Sequence, residues 1–144
     1  MPKRSLVEKA QSRRESGTFV ALPSSVLESD NFRTLSFRAN KALMCFCSQL
    51  RFYKGGRSNN GDLYLAHSIA KEWGLRSKET VCLAVKELLE RGWIILTRQG
   101  GSCGMGPNLY AITFFAIDEC GGKLQIPPTN APPSNWKKWR LEIE

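Results

Sequence analysis

Between residues 63 and 115 the spacing of apolar positions changes from a helical period to a strand period. Ile69 and Trp73, four apart, share one face of a short helix that begins near Ala66. Gly74 closes that helix, because a residue without Cβ takes the left-handed conformation that ends helices. Ser77 follows as an N-cap, its hydroxyl placed to accept an orphan backbone N–H of the next helix. In that helix Val81, Ala84, Val85, Leu88 and Leu89 recur at helical spacing as one apolar stripe, and Gly92 stops it. Trp93–Thr97 and Leu109–Phe115 are rich in β-branched and aromatic residues and predict two strands. The loop between them, QGGSCGMGPN, is too rich in glycine to pack.

Upstream, Thr18–Pro23 is a short apolar run closed by proline, a strand or an extended segment lying on the core. Ser24 or Ser25 caps a single helical turn through Val26 and Leu27. Ser36 caps a long helix in which Ala39, Ala42, Leu43, Phe46, Cys47, Leu50 and Tyr53 form a core stripe, with Arg38, Lys41, Ser48 and Arg51 away from it. GGRSNNGD is a turn cluster with an Asn-Gly signal, and Leu63–Leu65 beyond it is a third short strand pairing with the hairpin. Helix, helix, tight turn, helix and hairpin together predict an α+β fold, the winged helix-turn-helix, with a three-helix core and a β-hairpin wing. Its domain runs over residues 18–118, after a basic N-terminal arm (1–17) and before a Pro-rich C-terminal tail (119–144). In the tail, Pro127, Pro128, Pro132 and Pro133 favour an extended path. Trp136 and Trp139 expose too much apolar area to stay free: they dock on the chain's own core, on a protein partner or second copy, or on nucleic acid.

Composition removes several classes of function. At 144 residues and 42% hydrophobic content the chain supports one domain with a sizeable core. No run of about 18 apolar residues is present, so no membrane span is expected, and the first residues lack the apolar core of a secretory signal. Five cysteines (Cys45, Cys47, Cys82, Cys103, Cys120) without a CxxC pair, beside a single histidine, argue against a disulfide framework and a zinc site. Cys45 and Cys47 read as small core residues, and His67 as a surface residue of a helix. The cysteine pattern and the missing signal predict a cytoplasmic, reduced protein; no nucleophile–base pair, carboxylate dyad or phosphate-binding glycine motif occurs, which predicts that it uses no cofactor and is not an enzyme.

Charge then directs attention to an anionic partner. The net charge is +8, but residues 1–60 carry 11 Lys/Arg against 4 Asp/Glu, whereas residues 61–122 carry 6 against 7. Lys3, Arg4, Lys9, Arg13 and Arg14 belong either to a solvated leader or to an arm lying along phosphates or in a minor groove. In the motif itself, Arg76, Ser77, Lys78 and Thr80 occupy the positions where a recognition helix meets base edges. Glu79 is placed to accept from cytosine, Thr80 and Leu83 to touch thymine methyls, and Arg76 to pair with guanine. Lys86 points outward on the same helix, Arg98 and Gln99 stand at the root of the wing, and Arg38 and Lys41 give the long helix a basic face. Against this, Glu79, Glu87 and Glu90 place three carboxylates on an exposed face. The alternative is therefore a winged-helix protein-interaction module that uses this acidic face.

The blocks FVALPSSVLESDNFRTLS, NNGDLYLA, RSKETV with VKELLERGWI, TRQGG and NLYAIT followed by ID resemble the small helix-turn-helix proteins of proteobacterial phages, prophages and plasmids. The similarity runs from about Thr18 to Trp136. It is more distantly similar to the winged-helix domains of replication initiators, which usually carry a second such domain or a helicase-loading extension. The resemblance implies a double-stranded DNA-binding regulator or replication accessory factor of a mobile element. Such regulators are mostly symmetric dimers, so a homodimer is expected, clasped through TFVALP or the Trp136/Trp139 tail.

Overall fold

A computed structural model describes residues 5–8, 13–101 and 106–142. Lys3, Arg4, Lys9 and Cys103, named above, lie outside the described residues. The described chain is mixed α+β. Helices α1 (Ser24–Leu27), α2 (Asp30–Arg33), α3 (Phe37–Gln49), α4 (His67–Glu72) and α5 (Lys78–Glu90) precede a two-stranded antiparallel sheet of β1 (Ile94–Arg98) and β2 (Leu109–Ile112). This order is compatible with a winged helix. No helix is long and apolar enough to cross a membrane among the described residues.

The long helix α3 is the centre of the core. Ala39, Ala42, Leu43, Phe46 and Cys47 are buried, and the small residues Ala39, Ala42 and Ala84 let α3 lie close against α5. Cys45 and Cys47, two apart, face different directions, yet both are buried, so α3 is covered on two sides. Burial pushes the Cys47 thiol up to about 12 and also raises Cys45, so both stay protonated as small apolar groups. The stripe is shorter than its period predicts. Leu50 is buried, but it caps the helix in extended conformation, and Tyr53 lies beyond the helix, exposed. On α5, Ala84 and Leu88 are buried and Val81 and Val85 pack at the edge, whereas Leu89 is exposed rather than part of the stripe.

The predicted caps are present with one exception. The Ser36 hydroxyl accepts from Ala39 N at 3.2 Å, and the Ser77 hydroxyl from Thr80 N at 3.0 Å. Ser24 is instead the first residue of α1, with Pro23 before it and no side-chain cap. Gly74 and Gly92 end α4 and α5 with positive φ, and at Gly92 there is a second reason for glycine. A Cβ there would stand 2.6 Å from the backbone of Asn135, where the C-terminal segment crosses.

In the sheet, Ile94 lies opposite Ile112, Leu96 opposite Tyr110 and Arg98 opposite Leu109, with an irregularity between Leu96 and Arg98. The third strand expected at Leu63–Leu65 shrinks to one bridge: Leu63 and Tyr110 exchange both backbone hydrogen bonds, at 3.2 and 2.7 Å. On the N-terminal side of that bridge a side chain continues the pairing. Asn60, fully buried, accepts from Ile112 N at 2.8 Å and donates to Ile112 O at 2.9 Å, as a strand neighbour would. The second strand also ends at Ile112, short of the predicted Phe115. Thr18–Pro23 forms no strand: it is extended, and Val20 and Leu22 pack on the core.

The C-terminal segment folds back across the domain. Gln125 N donates to Thr97 O at 2.8 Å on the outer edge of β1, and Ser134 N donates to Thr113 O at 2.8 Å. Trp136 is buried, stacked on Trp93 with centroids 5.2 Å apart and planes 5° apart. Asn31 fastens this contact. Its amide donates to Trp136 O and Arg91 O, each at 3.0 Å, and its carbonyl oxygen accepts from Trp93 Nε1 at 2.8 Å. Of the three destinations open to the tryptophans, Trp136 takes the chain's own core, and Trp139 lies under the Arg91 guanidinium at 4.4 Å.

Candidate nucleic-acid interface

The turn between α4 and α5 is fixed from inside by Leu75, which is buried, and by backbone bonds from Gly74 N and Leu75 N to the end of α4. His67 adds a tie: its Nε2–H donates to Arg76 O at 3.0 Å, joining the start of α4 to the residue that enters α5. His67 is thus half-buried and structural rather than a plain surface residue. Arg76, Ser77, Lys78 and Glu79 project from this rigid turn into solvent. Thr80 differs from its expected role. It is half-buried, and its hydroxyl lies 2.7 Å from the Ser77 hydroxyl, which leaves it as part of the cap with little freedom to read a base.

Along the rest of α5, Cys82, Leu83 and Lys86 form the exposed ridge. Of the three glutamates that argued against an anionic partner, Glu87 is turned inward. Its Oε2 accepts from Ser36 N at 2.9 Å, supplying to α3 the carboxylate that a capping box takes from its own third helical residue, here Ala39. Glu90 lies 3.9 Å from Lys86 Nζ one turn away. Glu79, on the first turn, has no ion-pair partner among the described residues.

The hairpin lies beside this ridge. Leu65, Val81, Val85, Asn108 and Tyr110 line a shallow groove between α5 and the base of β2, so helix and hairpin share one concave face. Arg98 is half-buried at the hairpin root, in a second groove with Asp62, Tyr64 and Lys123, where Lys123 Nζ lies 2.7 Å from Asp62 Oδ2. Gln99 exposes its side chain, and its backbone N–H donates to Gln125 Oε1 at 3.1 Å.

The remaining basic residues fall in two separate regions. Arg38 and Lys41 are exposed on the first half of α3, Lys41 Nζ standing 6.0 Å over the Trp73 ring at the end of α4. Arg13 is exposed, and Arg14 covers Phe19 at 4.2 Å beside the opposite, C-terminal end of α3. From residue 38 to residue 49 a helix advances about 16 Å, so Arg14 and Arg38 serve different regions. Sequence reasoning missed His67, Glu87 and Asn31 as positioning residues. The one local signal was the Ser36 cap lacking a glutamate three residues on.

No family model, curated protein or solved structure matches this chain. Among the described residues no group of three or more His, Cys, Asp or Glu side chains is placed to hold a metal ion.

Proposed function

We propose that this chain is a winged-helix protein that binds double-stranded DNA, with α5 in the major groove and the β1–β2 hairpin as the wing. The observation that carries the reading is the inward turn of Glu87. It removes one carboxylate from the exposed helix face and leaves Arg76, Lys78, Leu83 and Lys86 beside a hairpin that carries Arg98. In this reading Arg76 and Leu83 address base edges, Lys78 and Lys86 the flanking phosphates, and Arg98 and Gln99 the backbone or minor groove. The protein acts without cofactor or catalytic step, in a reducing cytoplasm, as a regulator or replication accessory factor of a mobile element. It binds as a homodimer on paired half-sites. The alternative, a protein partner on an acidic face, has only Glu79 and the Lys86-paired Glu90 to work with.

Fluorescence anisotropy against DNA from the protein's own upstream region and against random duplex tests this. Arg76→Ala relaxes sequence preference, with a loss of roughly 1–3 kcal/mol for the contacted base, while Arg98→Ala weakens all duplexes alike. Absence of duplex binding at low salt on both DNAs removes the reading, and light scattering on and off DNA reads the oligomeric state.

A further inference from the structure

The groove at the C-terminal end of α3 lies apart from the helix-turn-helix and the hairpin. Its walls are Gly17–Val20 on one side and Ser48, Leu50, Arg51 and Phe52 on the other, and it holds about 580 Å³, within the range of ligand-sized clefts. Two of its aromatic rings are open to water: Phe19 is 59% exposed and Phe52 53%. Neither exposure is incidental to an unsupported loop. Phe52 rests on Phe115 at 5.3 Å and begins a small hairpin closed by its bridge to Ser58 and by Tyr53 N donating to Arg57 O. Phe19 carries the Arg14 guanidinium over one face at 4.2 Å.

Arg14 and Arg51 stand at the groove, and further cations lie within a few residues of its rings along the chain. Arg13, Arg14, Arg51, Lys54 and Arg57 are all exposed. Arg51 is held in place by donating from Nη1 to Ser48 O and Leu50 O, which fixes a positive charge at the groove wall. The acids nearby are Glu15, exposed, and Asp118, whose carboxylate accepts from Ser58 N and Cys120 N at 3.1 and 3.0 Å and so is engaged with the backbone. Flat apolar faces set among guanidinium and ammonium groups match a polymer with alternating planar bases and phosphates. A duplex hides its base faces inside the stack, so only unpaired nucleotides present them.

We propose that this groove is a single-stranded nucleic-acid site, in which Phe19 and Phe52 stack bases while Arg14, Arg51, Lys54 and Arg57 track the backbone. It is a second surface, separate from the duplex-binding face, and does not depend on that reading.

Anisotropy of labelled oligothymidylate and oligouridylate, each about twelve nucleotides long, reads the site in the full chain. The wild type binds at least one of them; comparing the two tells DNA from RNA. Phe19→Ala, at a ring already mostly in water, weakens binding roughly five- to 150-fold, the loss of one stacked base. Phe52→Leu preserves apolar bulk against Phe115 but removes the aromatic face, and it weakens binding by a similar factor with unchanged circular dichroism. Lys54→Ala combined with Arg57→Ala flattens the slope of log affinity against log salt by about 1.4. Duplex binding is unchanged in all these variants, and Arg76→Ala leaves single-strand binding intact. Failure of the wild type to bind either oligomer overturns the proposal. So does wild-type affinity in both phenylalanine variants, or loss of single-strand binding in Arg76→Ala, which would place the strand on α5.

Discussion

Replacing Asn31 by alanine is expected to unfasten the C-terminal segment from the domain. The Asn31 side chain makes three hydrogen bonds, of which those to Trp93 Nε1 and Trp136 O are fully buried and that to Arg91 O is partly buried. Alanine leaves the indole N–H and the Trp136 carbonyl without partners in a region water does not reach, while the Arg91 carbonyl at the edge can be rehydrated. Each orphaned buried group costs about 1–3 kcal/mol, so the two together remove roughly 2–6 kcal/mol. That is a large part of the stability of about 5–15 kcal/mol typical of a domain. Urea unfolding followed by tryptophan fluorescence and far-ultraviolet circular dichroism measures it, the Trp93–Trp136 stack being the reporter. A second arm isolates the mechanism. In a Trp93→Phe background no indole N–H remains to be orphaned, so Asn31→Ala costs less by about 1–3 kcal/mol. A loss below about 1 kcal/mol in the wild-type background, or an equal loss in both, refutes the account of Asn31 as the fastening residue.

Three further outcomes follow from the same contacts. Glu87→Ala removes the carboxylate from the Ser36 N–H and is expected to cost about 0.5–2 kcal/mol by thermal unfolding, with no gain from relieved acidity on α5. Truncation after Cys120 exposes Trp93 and the edge of β1, so it lowers the melting temperature of the monomer even where oligomeric state is unchanged. Cys47 links stability to alkaline pH. Its thiol rises from 9.0 to about 12 through burial, so between those values the native state holds a proton that the unfolded chain has released. Stability from this group therefore falls as pH rises from about 9 to about 12, by at most about 1.4 kcal/mol per unit, and Cys47→Ala removes that part of the slope.

How much of this was legible in the chain depends on how far apart the interacting residues lie. The spans of α3, α4 and α5 follow from apolar spacing of three and four, and Ser36, Ser77, Gly74 and Gly92 mark their ends because capping acts within a few residues. The hairpin was legible for the same reason. What only the folded chain decided is which side chains meet across long separations. Glu87 reaches Ser36 across 51 residues, and Asn31 reaches Trp136 across 105. Helical spacing therefore puts Glu87 on the exposed face with the other glutamates and counts Leu89 in the apolar stripe, since it has no knowledge of which neighbour sits beside the helix. The third strand differs on similar grounds: backbone pairing with the hairpin holds only at Leu63, and the backbone N–H and C=O of the next residue, Tyr64, are engaged by the Gln49 side chain, 15 residues away. The composition of the last residues showed that Trp136 needed a partner. That the partner is Trp93 depended on Gly92 being small enough for the chain to cross above it. Local sequence determined the helices, the Ser36 and Ser77 caps, the glycine stops and the hairpin, because those energies act over a turn or a strand. Tertiary structure decided which charges remain exposed, because burial and pairing belong to the assembled surface and not to any one segment.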